Sequence, residues 1–350
     1  MDYTELKMQV REKMLSELEV CYPVYGQPLI ITRCPYCGDS RKSLRKGHFR
    51  VKIDVSNEEE PILYHCARCA EGGILTPAIM RILELNDLEI NSSLIENNNR
   101  IIKASRKKFG IKDNHFQWKI PKPDLSHTGT RNKMDYLNDR LGIDLGPEEW
   151  VRLKTIFSLG HFFQLNDIKH YTQKQDRLNL LHRNYVGFLS IRNEFINFRN
   201  IHKDKNLRWD KYSVLPSIEN TRKFYTIPND IDLLSMEPIT IHIAEGVLDI
   251  LGVYYHLNHQ NNYRHVYTAV CGSAYLNVLI YFIEMGLIGN VNVRIYSDNN
   301  FSPAFYKPIV RRLKPWVNSF HVIYNTIKDK NGKADFGVPK NLISPEELKI

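Results

Sequence analysis

Six cysteines and a few carboxylates are the side chains in this 350-residue chain whose types and spacing could do chemistry. Four of the cysteines form two C-x-x-C pairs, Cys34-Pro-Tyr-Cys37 and Cys66-Ala-Arg-Cys69, with 28 residues between them. Each pair presents two thiolates from one tight turn, and two such turns close a tetrahedron around Zn²⁺. Gly38 follows the first pair and is free to take positive φ. Residues 48–54 alternate like a strand, and residues 62–66 form a second strand that enters the second pair. The spacing predicts one structural zinc ion held by Cys34, Cys37, Cys66 and Cys69. His48 and His65 are alternative ligands, and Cys21 and Cys271 read as plain buried thiols. Disulfides are the other use of such pairs. Residues 1–20, however, alternate charges with Leu, Met and Val and do not read as a secretory signal, so an oxidising compartment is not expected.

The carboxylates belong to the second half. Four apolar strands are predicted at 239–244, 265–270, 290–296 and 319–324, separated by helical stretches, which implies parallel βαβ units. Glu245 ends the first strand and Asp298 follows the third. In an open parallel sheet, functional groups gather beyond the carboxyl ends of the strands. Asp249 lies one helical turn past Glu245, so both can point to one place. Carboxylates clustered there suit a divalent cation such as Mg²⁺, which takes oxygen ligands and shares them with substrate phosphates. The same residues at strand ends would also serve as helix caps.

The elements that must position these groups show in the composition. Hydrophobic residues make up 43% and charged residues 25%, which excludes wholesale disorder and leaves room for two or three domains. The most apolar stretch, 239–257, carries Glu245 and Asp249, so no membrane-spanning helix is expected. The net charge of +9 is uneven: residues 1–75 hold eleven basic and eleven acidic residues, residues 76–230 twenty-six and eighteen, residues 231–350 eleven and ten. The excess therefore sits in the middle, where a track for an anionic polymer is expected if it is more than a solvated surface. Residues 76–88 open with Thr-Pro and read as a helix, and the Asn-rich run 89–99 reads as a linker. No G-x-x-x-x-G-K-[ST] occurs, so no helicase motor is expected in this chain.

The exact text around the cysteines narrows the reading. Cys-Pro-Tyr-Cys-Gly-Asp-Ser at 34–40 and Tyr-His-Cys-Ala-Arg-Cys-Ala-Glu-Gly-Gly at 64–73 resemble the zinc-binding domain of DNA primases. The first is most like T-even-type bacteriophage primases, and the second is also like the bacterial ones. The resemblance implies a zinc ribbon that grips single-stranded template. Arg33, Arg41, Lys42, Arg45, Lys46 and Arg68 would meet phosphates there, and Tyr36, Phe49 and Tyr64 would stack on bases. Strand–Glu245-Gly-Val-Leu-Asp249–helix, then Gly272-Ser273 after the next strand, then strand–Asp298-Asn-Asn300, resembles the primase TOPRIM domain. That likeness implies Glu245 as acid/base and metal-site residue, Asp249 as its helix partner, and Asp298 as a Mg²⁺ (or Mn²⁺) ligand. Asn300 stands where the family usually has Asp or Glu, so it offers a neutral oxygen. Lys333-Ala-Asp335-Phe-Gly resembles the element supplying a further acidic residue, with Asp335 the better match and Asp329 the runner-up. The hairpin 186–199 and Trp209-Asp-Lys-Tyr212 resemble the family's basic template and nucleotide surface, which carries over to Arg199 and Lys211 and more weakly to Arg192, Arg208, Arg222 and Lys223.

The expected class is α/β. A small β zinc ribbon (1–90) is followed by a linker (91–125), a basic α+β subdomain of the polymerase core (126–230) and a TOPRIM parallel-sheet subdomain (231–350). The expected activity is DNA primase: synthesis of short RNA primers from ribonucleoside triphosphates on single-stranded DNA, in the cytoplasm, with a separately encoded replicative helicase as partner. Two alternatives stand beside it. One is a Mg²⁺-dependent TOPRIM nuclease. The other is a catalytically silent primase-like protein that only binds DNA or helicase, which Asn300 makes conceivable.

Overall fold

The computed structural model describes residues 2–35, 39, 45–68, 72–108, 118–168, 175–202, 209–214, 223–228, 238–257, 264–272, 275–284, 291–298, 301–313, 317–328 and 334–349. Cys37, Cys69, Ser273, Asn300 and Asp329 lie outside the described residues, as do Tyr36, Arg41, Lys42, Arg208 and Arg222. What is described falls into two compact units, residues 2–108 and residues 118–349.

In the first unit, helix α1 (Tyr3–Glu17) precedes a five-stranded antiparallel meander, β1 (Cys21–Pro23), β2 (Leu29–Thr32), β3 (Phe49–Lys52), β4 (Leu63–Cys66) and β5 (Gly72–Ile74), paired in chain order. The strands alternate buried and open residues, as at Phe49, Arg50, Val51 and Lys52, so one face is core. Tyr3, Leu6, Val10 and Met14 recur at helical spacing and bury one stripe of α1. The Tyr3 hydroxyl accepts the Ile62 N–H at 3.2 Å. Lys7, fully buried, donates to the carbonyls of Asp54 and Asn57 and so ties the helix to the loop after β3. Phe49 and Tyr64 stack on each other in the core, 5.1 Å between ring centres. Base stacking, expected of both, is therefore not open to them in this arrangement.

Helices α2 (Pro77–Ile82) and α3 (Leu88–Lys108) complete this unit. The expected helix at 76–88 is real but shorter. Thr76 caps it through Ile79 N–H, and Glu84 turns the chain at φ 66. The linker expected from 91 is corrected: its first part lies inside the 21-residue α3. Asp87 Oδ1 accepts the Glu89 and Ile90 N–H groups at the start of that helix. Ile90, Leu94 and Ile101 then supply a buried stripe, while Asn97 and Asn98 are buried through bonds to the carbonyls of Ser93 and Leu75. The asparagines hid the apolar period because polar residues share the buried stripe, their amide N–H groups bonded to backbone carbonyls.

The second unit starts with α4 (Thr128–Leu141), α5 (Pro147–Arg152), β6 (Thr155–Ile156), α6 (Leu159–Leu165) and α7 (Gln175–Asn184). Strands β7 (Tyr185–Leu189), β8 (Phe195–Asn200) and β9 (Trp209–Ser213) join β6 in an antiparallel sheet of order β6-β7-β8-β9. The expected hairpin is β7–β8, turned at Asn193 with φ 62. Next come β10 (Tyr225–Thr226), β11 (Ile239–Ala244), α8 (Val247–Gly252, continuing as a π-helical turn to Leu257), β12 (His265–Ala269), α9 (Tyr275–Glu284), β13 (Val291–Ser297), α10 (Pro303–Leu313), β14 (Ser319–Asn325) and β15 (Pro345–Lys349). They build a six-stranded sheet of order β10-β12-β11-β13-β14-β15. The four inner strands are parallel, as the sequence predicts, and β10 and β15 are antiparallel edges it does not predict. One core joins the two sheets of this unit: Leu137, Leu141 and Trp150 pack with Phe188 and with Ala244, Leu248 and Tyr296.

Candidate active site

The pairing Ala244↔Ala269, Ala244↔Tyr296 and Ser297↔Tyr324 sets the carboxyl ends of the four parallel strands level. Glu245 and Asp298 each follow a strand at that edge. Asp249 stands in the first turn of α8, where Oδ2 accepts the Gly246 N–H and Oδ1 the Gly337 N–H, both at 3.0 Å. Asp335 lies on the chain after β14, and its Oδ1 accepts the same Gly337 N–H at 2.8 Å. Two glycines allow this loop to press on α8. A Cβ on Gly252 would lie 1.9 Å from the Phe336 carbonyl oxygen, and one on Gly337 would lie 2.9 Å from Leu248 Cβ. Asn325 holds the loop from below, donating to the carbonyls of Asp335 and Leu342 at 2.8 Å.

The four carboxyls feel one another. Burial, with the charges of Asp298 and Asp335, raises Glu245 to about 7. Burial and the facing, hydrogen-bonded Asp335 carboxyl raise Asp249 well above the usual range. Burial pushes Asp335 up as well. The bond from Asp249, the Arg140 guanidinium, the Gly337 N–H and Arg199 outweigh it, so Asp335 titrates below the usual range. The two titrate as a pair, with Asp249 the more basic partner and Asp335 the more acidic. Glu245 and Asp298 also share a hydrogen bond. Among the described residues no three acidic, His or Cys side chains are already closed into a metal-ligand set.

Basic side chains reach this edge from the other elements of the unit. Arg140, at the end of α4, forms an ion pair with Asp335. Arg199 of β8 adds positive charge near Asp335 and lies 3.5 Å through Nε from the Tyr136 hydroxyl. Lys211 of β9 donates from Nζ to the carbonyl of Cys271. Cys271, at φ 53, turns the chain after β12, and its N–H donates to the Glu245 carbonyl at 2.8 Å. Arg177 steadies Lys211 by bonding both Asp210 and the Lys211 carbonyl. Arg199 and Lys211 were expected from sequence. Arg140 was not, because it stands on a helix with no motif of its own. Arg192 instead approaches Glu194, and Lys223 lies over the Phe195 ring. Cys271 is a thiol raised to about 11 by burial, as is Cys21.

In the first unit, Cys34 follows β2 and Cys66 ends β4, and both are buried. The backbone N–H of Arg68 approaches Cys66 Sγ at 3.4 Å. His65 points to the exposed side of β4, away from Cys66. The Nδ1 of His48 lies 2.7 Å from Asp39 Oδ1.

No protein-family model matches this chain, and no curated protein matches it in sequence. Among solved structures it is similar to the crystal structure of the Aquifex aeolicus primase comprising its zinc-binding and RNA polymerase domains. The TM-score is 0.40 and the identity 16%, over 92% of this chain and 79% of that one.

Proposed function

We propose that this chain is a DNA primase of the phage type, a DNA-dependent RNA polymerase that makes short primers on single-stranded DNA. One observation carries the reading. Glu245, Asp249, Asp298 and Asp335 converge on one sheet edge, and Arg140, Arg199 and Lys211 arrive there from the neighbouring helix and antiparallel sheet. Acid at one place ringed by base suits a polyanionic nucleotide with a divalent cation.

The donor set fits Mg²⁺ or Mn²⁺. The oxygens are hard, and the burial and neighbouring carboxylates that raise Glu245 and Asp249 disfavour negative charge there, which a divalent cation would offset. Glu245, Asp298 and Asp335 would hold the ion, and Asn300 would add a neutral oxygen. Bound there, it would neutralise charge developing on the transferring phosphoryl group. Lys211, Arg199 and Arg140 orient the triphosphate. The 3′-hydroxyl oxygen of the first nucleotide attacks the α-phosphorus of the next, the bond to pyrophosphate breaks, and the hydroxyl proton passes to Glu245. In the metal-free site burial and the neighbouring carboxylates raise Glu245 to about 7, which makes it a basic oxygen group positioned for that proton.

Cys34 and Cys66, buried thiols with a backbone N–H aimed at one sulfur, suit a soft, tetrahedral Zn²⁺ completed by Cys37 and Cys69. The ribbon and the basic segment 76–230 would carry the template, and a separate helicase would deliver it.

The test is incubation with single-stranded DNA, labelled ribonucleotides and Mg²⁺, with and without a replicative helicase. Short RNA that disappears in Glu245→Gln is expected. DNA scission without ribonucleotides would replace this reading with a nuclease, and DNA binding with no product would leave a silent binding protein.

A further inference from the structure

One residue joins the two cysteine pairs without belonging to either. The His48 backbone N–H donates to Asp39 Oδ2 at 3.2 Å, and its ring Nδ1 lies 2.7 Å from Asp39 Oδ1. Its carbonyl accepts the N–H of Ala67 at 2.9 Å, inside the second pair. The same Asp39 Oδ2 accepts the Cys34 N–H at 2.6 Å, inside the first. A carboxylate with no exposed surface therefore has three donors from two residues, which is what a buried charge requires. Nδ1 faces Asp39 and is taken up by that contact, which leaves Nε2 as the ring nitrogen open to a metal. Asp39 takes φ 56, a left-handed conformation that Asp tolerates better than most residues. Gly47 presses the neighbouring chain onto β2: a Cβ there would lie 2.2 Å from the Thr32 carbonyl oxygen.

We infer that Asp39 and His48 form a clasp that sets the two C-x-x-C turns at ligand spacing and holds them there. Both act as positioning residues, and His48→Gln below separates this from ligation through His48 Nε2. The inference rests on the zinc reading above and goes beyond it. Partners behind metal ligands fix ligand orientation, and losing one typically costs 10–100-fold in affinity. Here Asp39 holds the first pair through the Cys34 N–H and holds the His48 segment, whose carbonyl in turn binds the second pair at Ala67, so losing the Asp39–His48 contact uncouples the two turns.

The experiment is chelator-driven zinc release from the full chain, comparing wild type with Asp39→Ala, His48→Ala, the double variant and His48→Gln. Wild type should carry one zinc. Each alanine variant should release it about tenfold faster or more, and the double variant no faster than the singles, because the two residues act as one device. His48→Gln, whose amide N–H can still reach Asp39, should fall closer to wild type than His48→Ala. Release at the wild-type rate in both single variants, multiplying effects in the double, or equal release by His48→Gln and His48→Ala overturns the clasp. The last comparison decides even if Asp39→Ala fails to fold. A wild-type chain that carries no zinc would sink the zinc reading itself, and this shows before any substitution is made.

Discussion

Arg140 and Asp335 form an ion pair across 195 residues of sequence, joining helix α4 to the loop that follows the last parallel strand. Together with the charge of Arg199, it is how the helical and antiparallel part of the unit acts on the acidic edge. Each partner is about one-third exposed, so the pair is worth only about 1 kcal/mol or less in stability. Its consequence is electrostatic: with the stronger effect of the Asp249 hydrogen bond, it helps hold Asp335 below the usual carboxylate range. Arg140→Ala should therefore leave the urea midpoint almost unchanged and still lower primer synthesis at least tenfold, with Arg140→Lys between. A loss of activity explained by unfolding would refute this role.

Glu245 gives a pH signature. Its carboxyl is raised from 4.5 to about 7 in the fold, so the unfolded chain gives up that proton first. Metal-free stability should then fall as pH rises from 4.5 through 7, and Glu245→Gln should remove that component. Asp249 acts in the same direction and Asp335 in the opposite one, so the comparison with the variant isolates Glu245. Urea unfolding at pH 5 and pH 8 measures it. An identical pH dependence in both proteins would contradict the burial of Glu245.

Gly252 tests the seat of Asp335. Alanine there puts a Cβ 1.9 Å from a backbone oxygen of the Asp335 loop. Overpacking of this kind costs about 1–3 kcal/mol, and the loop must lift from α8. Gly252→Ala should lower the urea midpoint and reduce activity, whereas Gly129→Ala, with open space around it, should do neither.

The template track is tested by charge reversal at Lys119 and Arg183, which are exposed and lie in the basic middle segment. Lys119→Glu with Arg183→Glu should weaken single-stranded DNA binding and flatten its salt dependence, with zinc content unchanged. Unaltered affinity and salt slope would place the track elsewhere.

The parallel strands were legible in the sequence because each is a short apolar run closed by a polar turn, and that same punctuation exposed Glu245 and Asp298. Asp335 came from a motif resemblance alone, since its position depends on two glycine contacts with α8 that no local pattern announces. Strand β15, Pro345-Glu-Glu-Leu-Lys349, is exposed along its length and has no apolar alternation to read. Helix α3 was hidden by asparagines that interrupt its apolar period, two of which are buried with their amide N–H groups bonded to the carbonyls of Ser93 and Leu75. Arg140 was invisible for a different reason: the partner that gives it a role is brought to it only by the fold.

Whether Glu245 and Asp298 gather a divalent ion around a nucleotide is read most directly by Mn²⁺ titration followed by electron paramagnetic resonance. Wild type should bind Mn²⁺, and more tightly when a ribonucleoside triphosphate is present. Glu245→Gln and Asp298→Asn should lose that binding with the fold intact. Mn²⁺ binding that is the same in all three proteins, or indifferent to nucleotide, would contradict a polymerase site at this edge.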